Sequence, residues 1–175
     1  MKLFIMMIGV PASGKSTMIQ KINENKDFVV LSTDNFIEAV AKMRESTYDE
    51  VFKNTIKAAE FYLQERLEQA IKDGANIIWD QTNLTYKSRK AKIAKVPEDY
   101  TRVGWTFKTP EPEEWERRLK SRPGKTIPKH ILESMAKSFE EPMVPEFDFF
   151  VDSYEAYMLM HQKIKKLQEW AKKQN

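Results

Sequence analysis

Near its start the chain runs Leu3-Phe4-Ile5-Met6-Met7-Ile8 and then breaks into Gly9-Val10-Pro11-Ala12-Ser13-Gly14-Lys15-Ser16-Thr17. A short apolar run that ends at glycine reads as a strand buried on both faces, the kind found in a parallel sheet. The segment behind it satisfies G-x-x-x-x-G-K-[ST] in full. That spacing lets successive backbone N–H groups curl around phosphates, with glycine where a side chain would obstruct and a helix N-terminus adding its positive end. Gly9, Pro11, Ala12, Ser13, Gly14, Lys15, Ser16 and Thr17 are therefore expected to cradle a nucleoside triphosphate. Lys15 should reach the outer phosphates, the Ser16 hydroxyl should bind Mg²⁺, and Thr17 is a weaker helper. The motif specifies the donor only, since the same loop serves ATPases, GTPases and small kinases.

At 175 residues the chain suits one compact domain, 1–175. With 41% hydrophobic and 31% charged residues, wholesale disorder and a membrane-embedded chain are excluded. There is no cysteine, and the only histidines are His130 and His161, so a disulfide framework or a thiolate zinc site is excluded. The apolar start is too short to span a bilayer and leads into Gly9 rather than a cleavage site, which fits a cytoplasmic, intracellular location without membrane contact. The net charge of +3 says little about nucleic acid, but Trp115 to His130 holds six Lys or Arg against one Glu.

Short apolar runs alternate with helix-period stretches, the pattern of an α/β protein with a mostly parallel sheet. Strands are expected at Lys2–Val10, Phe28–Ser32, Asn76–Asp80, Arg102–Phe107 and Phe147–Val151. Helices are expected at Lys15–Asn23, at Glu50–Lys72 with its stop at Gly74, and over 155–173, where Met160, Ile164, Leu167 and Ala171 recur at helical spacing. The lysine-rich face of the last helix reads as solvated surface.

In an open α/β sheet the ligand lies beyond the carboxyl ends of the strands. Asp34, in Leu31-Ser32-Thr33-Asp34-Asn35-Phe36, would project there and could take the proton of an attacking hydroxyl. The alternative is a helix N-cap. Asp80 ends the third strand, placed to hold the water shell of Mg²⁺ or to orient a substrate hydroxyl, although Asp80-Gln81-Thr82-Asn83 also suits a turn and cap. Asn83 and Arg89 are further substrate-side candidates. Arg117, Arg118 and Arg122 offer guanidinium groups to a migrating phosphoryl group. Pairing of Glu113, Glu114 and Glu116 with Arg117, Arg118 and Lys120 would make a solvated face instead, which suits Arg117 but not Arg122, left at a hinge by Pro123-Gly124. Of the tryptophans, Trp79, Trp105 and Trp170 fall at apolar-periodic positions expected in the core, while Trp115 is the one candidate for base stacking.

Through GVPASGKST, STDNF, WDQTNLTYKSRK and RRLKSRPGKTIPKHILESMAKSFEEPMVPEFDFFV the chain resembles the P-loop kinase domain of polynucleotide 5′-hydroxyl kinases of phage and animal repair. DQTN and its trailing basic residues are also similar to the P-loop domain of heterogeneous nuclear ribonucleoprotein U. The first resemblance implies a P-loop NTPase kinase-like three-layer sandwich with a parallel central sheet and a helical lid around 112–130. It implies ATP and Mg²⁺ held by Lys15 and Ser16, with Asp34 as general base toward a nucleic-acid 5′ end. Arg122, with Ile127 nearby, would stack on adenine, Arg118 would engage phosphates, and either Asp80 or Gln81 would fill the third-strand position. Two departures stand out. Ala12 replaces a usual glycine, tolerable at negative φ, and Ile37 replaces an arginine that grips the acceptor's 3′-phosphate. No phosphatase domain is expected to follow. A kinase for a small metabolite or nucleotide, and a nucleotide-dependent RNA-binding module without transfer, stay open as alternatives.

Overall fold

The computed structural model describes residues 2–173. Strands β1 Lys2–Ile8, β2 Phe28–Leu31, β3 Asn76–Asp80, β4 Tyr100–Thr106 and β5 Phe149–Val151 form one sheet in the order β2-β3-β1-β4-β5. Every pairing in it is parallel. The helices are α1 Lys15–Ile22, α2 Thr33–Met43, α3 Tyr48–Lys72, α4 Tyr86–Ile93, α5 Pro112–Lys120, α6 Lys129–Lys137 and α7 Tyr154–Lys172.

The central strand shows why the first apolar run has no polar alternation. Side chains along a strand point to opposite faces in turn. Phe4, Met6 and Ile8 pack against Leu63, Leu67 and Ala70 of α3 and Ile93 of α4. Leu3, Ile5 and Met7 pack on the other face against Ile19 of α1 and Tyr157, Met160 and Ile164 of α7. The result is the expected three-layer α/β sandwich. Because β3 and β4 flank β1 on opposite sides, the strand order reverses at β1, and the crevice at its carboxyl end is where such sheets bind ligands.

Element boundaries differ from expectation for local reasons. β1 ends at Ile8 rather than Val10, as the Gly9 N–H has already turned to the Thr82 carbonyl at 2.9 Å. α3 starts at Tyr48 rather than Glu50 because Thr47 and Glu50 close a reciprocal capping box. β5 starts at Phe149 rather than Phe147. Phe147 is instead a core residue pressed on Gly104, where an added Cβ would lie 2.9 Å from its ring. In α7 the apolar stripe leaves the sheet after Ile164: Leu167 is 53% exposed, and Trp170, expected in the core, is 63% exposed. The side chain of Ala171 lies outside the described residues. The expected lid resolves into α5, a turn, and the start of α6. Among the described residues no helix is long and apolar enough to cross a membrane.

Candidate active site

The phosphate loop leads from β1 into α1, whose N-terminus has no side-chain cap, so its first amides are left for an anion. Gly14 carries the left-handed turn at φ 107°. Gly9 is demanded by space, since a Cβ there would lie 2.9 Å from both Phe107 Cβ and Ser13 Oγ. Among the described residues Ser13 Oγ is buried with no hydrogen-bond partner, a polar atom at the cradle that a phosphate oxygen would satisfy. The Lys15 ammonium donates to the Gly9 and Val10 carbonyls at 2.8 Å each, leaving one N–H for an incoming anion. Ser16 and Thr17 are exposed at the mouth of the loop. These residues fit a triphosphate with its Mg²⁺. Ala12 departs from the expectation of a negative φ: it sits at φ 60°, the left-handed conformation that glycine adopts without strain.

Across the cleft, Asp34 is not a helix cap. Ser32 caps α2, its hydroxyl accepting from the Asn35 N–H at 3.3 Å, which leaves the Asp34 carboxylate free to face the cleft. The Tyr48 hydroxyl donates to Asp34 Oδ1 at 2.7 Å, and the Lys125 ammonium donates to Oδ2. Lys125 also lies 3.4 Å from Glu38 and 4.0 Å from the centre of the Tyr48 ring. Burial pushes the Asp34 carboxyl up, but Lys125, the Tyr48 hydroxyl and Arg122 outweigh it and hold it below the usual carboxylate range. Burial and the Asp34 charge together raise the Tyr48 phenol, keeping it a donor.

Asp80 ends β3 and Lys15 opens α1, and each is near enough to act on the other's charge. Burial pushes the Asp80 carboxyl up to about 6 and the Lys15 ammonium down to about 8, so desolvation outweighs their mutual attraction. Gln81 has little left for a ligand, as it accepts from Trp79 Nε1 at 2.9 Å and donates to Thr33 Oγ1 at 3.3 Å. Both third-strand candidates line the cleft, Asp80 with its carboxylate and Gln81 with an amide already tied to Trp79 and Thr33. The cleft is about 1810 Å³ and is lined by the loop, by Asp34, Asp80 and Gln81, and by Arg118, Arg122 and Ile127 of the lid.

The sequence matches the family described as an AAA domain over residues 4–142. The chain belongs to this family. No curated protein matches it. Its fold is similar to that of a provisionally named kinase from Chloroflexus aurantiacus, at 16% identity and TM-score 0.67, covering 96% of this chain and 97% of that one. It is similar to a sugar kinase from Janibacter sp., at 18% identity and TM-score 0.58, covering 96% and 95%. It is also similar to a chain of the Pnkp1/Rnl/Hen1 RNA repair complex, at 23% identity and TM-score 0.56, covering 78% of this chain and 43% of that one. The chain is thus an AAA domain whose fold is similar to that of P-loop kinases.

Within this AAA domain two expected substrate residues serve the scaffold. Arg89 is 0% exposed and paired with Glu146 at 2.7 Å, and it also donates to the Leu84 and Glu140 carbonyls at 3.1 and 2.8 Å. It faces inward because α4 packs that side on the segment after α6. Asn83 is buried at φ 52°, donates to the Met7 carbonyl at 2.7 Å and accepts from Lys92 at 2.5 Å, so its amide is consumed in pinning the β3 exit to β1. Ile37 is also buried, in a cluster with Ala41, Val51 and Ala59.

On the lid, Arg117 pairs with Glu114 at i,i+3 rather than with Glu113. Arg118 pairs with the same Glu114 at 2.6 Å and reaches the Ala12 carbonyl at 3.4 Å, which places it beside the loop. Trp115 is a brace rather than a free stacking platform, its Nε1 donating to the Pro11 carbonyl at 2.8 Å. The sequence does not mark Tyr48, Glu38 or Lys125 as site residues. The Thr47-x-x-Glu50 spacing could have located the start of α3, but nothing local ties Tyr48 or Lys125 to Asp34.

Proposed function

We propose that the chain is an ATP- and Mg²⁺-dependent phosphotransferase whose acceptor is a hydroxyl group. The observation that carries this reading is that one cleft holds a triphosphate cradle around Lys15 and, facing it, the Asp34 carboxylate held below the usual range. Asp34 accepts the hydroxyl proton as the acceptor oxygen bonds to the γ-phosphorus. The bond to the bridging oxygen breaks and ADP leaves. Lys15, Arg118 and Arg122 neutralise charge on the phosphoryl oxygens, and Ile127 lines the same cleft. Ser16 would hold Mg²⁺ directly and Asp80 through its water shell, and the ion would supply further neutralisation of phosphate charge.

The acceptor we put first is the 5′-hydroxyl of DNA or RNA, supported by the lid-to-β5 segment Arg117–Val151 and its resemblance to polynucleotide kinases. A small hydroxylated metabolite is the second reading, favoured by α2. The α2 residues lining the cleft are Thr33, Asp34, Asn35 and Glu38, while Ile37 turns into the core, so this wall offers carboxylates where an acceptor phosphate would want a cation. Labelled ATP incubated with a 5′-hydroxyl oligonucleotide, nucleosides and sugars separates the two. Label on the oligonucleotide end supports the first, and label only on a small compound supports the second. Label on no acceptor, with ATP and RNA still bound, overturns transfer and favours the RNA-binding alternative.

A further inference from the structure

The turn between α5 and α6 carries two cations, Arg122 and Lys125, that both line the cleft. Arg122 is near enough to Lys15, Asp80 and Asp34 to act on the charge of each, so it reaches the phosphate side as well as Asp34. Lys125, further along the same turn, directs its ammonium to Asp34. The turn is fastened to the start of α3. The Gly124 carbonyl accepts from the Asp49 N–H at 3.0 Å, and the Thr126 N–H donates to Asp49 Oδ2 at 2.8 Å. Gly124 lies so close, at φ 72°, that an added Cβ would meet Thr47 Cβ at 3.0 Å. Tyr48, between these two anchor residues, donates to the other oxygen of Asp34.

A desolvated ammonium needs compensating partners. The Lys125 side chain is 8% exposed, and its partners are the carboxylates of Asp34 and Glu38 and the face of Tyr48. The seated turn therefore fixes both carboxylate oxygens of Asp34, one directly through Lys125 and one through the helix start on which it rests. If the turn lifts, Arg122 leaves the phosphate side and Lys125 leaves Asp34 together. This inference rests on the reading of Asp34 as the base. We propose that the Arg122–Thr126 turn couples the donor and acceptor halves, and that Lys125 is the positioning residue through which lid seating sets Asp34.

The test combines amide hydrogen exchange with acceptor kinetics in Lys125→Met and Lys125→Arg, each alone and in an Asp34→Asn background. In Lys125→Met, exchange at the Asp49 and Thr126 amides should rise by about tenfold or more, because local opening frees both bonds. With the acceptor found in the screen, kcat should fall by about tenfold with the KM for ATP nearly unchanged, and Lys125→Arg should recover most of it. In the Asp34→Asn background Lys125→Met should add almost nothing, the non-additivity expected of a residue acting through another. Wild-type exchange at both amides in Lys125→Met overturns the proposal, as does an equal fall in kcat with and without Asp34. If the wild-type protein phosphorylates no acceptor, the kinase reading fails while the exchange arm still decides the coupling.

Discussion

The two halves of the cleft are built from different materials. The donor half is largely backbone, an uncapped helix start, a left-handed Gly14 and loop carbonyls that park the Lys15 ammonium. The acceptor half is made of side chains brought from α2, α3 and the lid turn, with Asp34, Tyr48 and Lys125 joined by hydrogen bonds that span 14 and 91 positions of sequence. A backbone cradle is specified by a handful of adjacent residues. A side-chain constellation exists only when distant elements are packed, so its chemistry depends on the fold and on the seating of the lid.

Substitutions can sharpen that contrast. The largest effect should fall on neither half. Arg89→Met removes one partner of the buried pair with Glu146 and should cost about 3–5 kcal/mol of stability. Urea unfolding should show this loss while kcat per folded molecule stays near the wild-type value; an equal fall in kcat would return Arg89 to the acceptor half. Arg122→Ala acts on the donor half from the lid. It should lower kcat by about 10²–10³-fold, the usual cost of one charge-stabilising donor, and an unchanged rate would make Arg122 surface.

Asp80→Asn is smaller and depends on pH. Because the folded carboxyl is raised from 3.8 to about 6, the folded state binds more protons there than the unfolded chain does. The stability it contributes is complete below the unfolded value and is lost as pH rises through the folded one. Denaturant midpoints for wild type and Asp80→Asn should coincide near pH ~3, with the variant the more stable above pH ~6. A constant gap would mean that the Asp80 carboxyl is not raised. Smallest is Ala12→Gly, which relieves a left-handed non-glycine residue and should raise stability by about 1 kcal/mol, visible as a higher Tm.

The same contrast explains what the sequence made legible. β1, the phosphate loop and the long α3 are local patterns of apolar period and glycine spacing, and they are found within a residue or two of their places. The identity of Asp34 and Asp80 as cleft residues follows from their position at strand ends. Arg89 and Asn83 misled because a polar residue behind a strand end carries no local sign of which way it turns. Only the packing of α4 on the segment around Glu146 sends Arg89 inward. Trp170 misled because helical spacing continues along α7 after the sheet beneath it has ended. Lys125 was counted within a basic run, and nothing in that run says that one member is buried against a carboxylate.

In the function we propose, Asp34 completes a hydroxyl phosphotransfer site opposite the phosphate loop, and Asp34→Asn probes that role. With labelled ATP and the best acceptor from the screen, transfer should fall by about 10²–10⁴-fold, the usual contribution of a general base, while ATP binding measured by titration stays at the wild-type value. Transfer that survives the substitution at the wild-type rate would contradict the account.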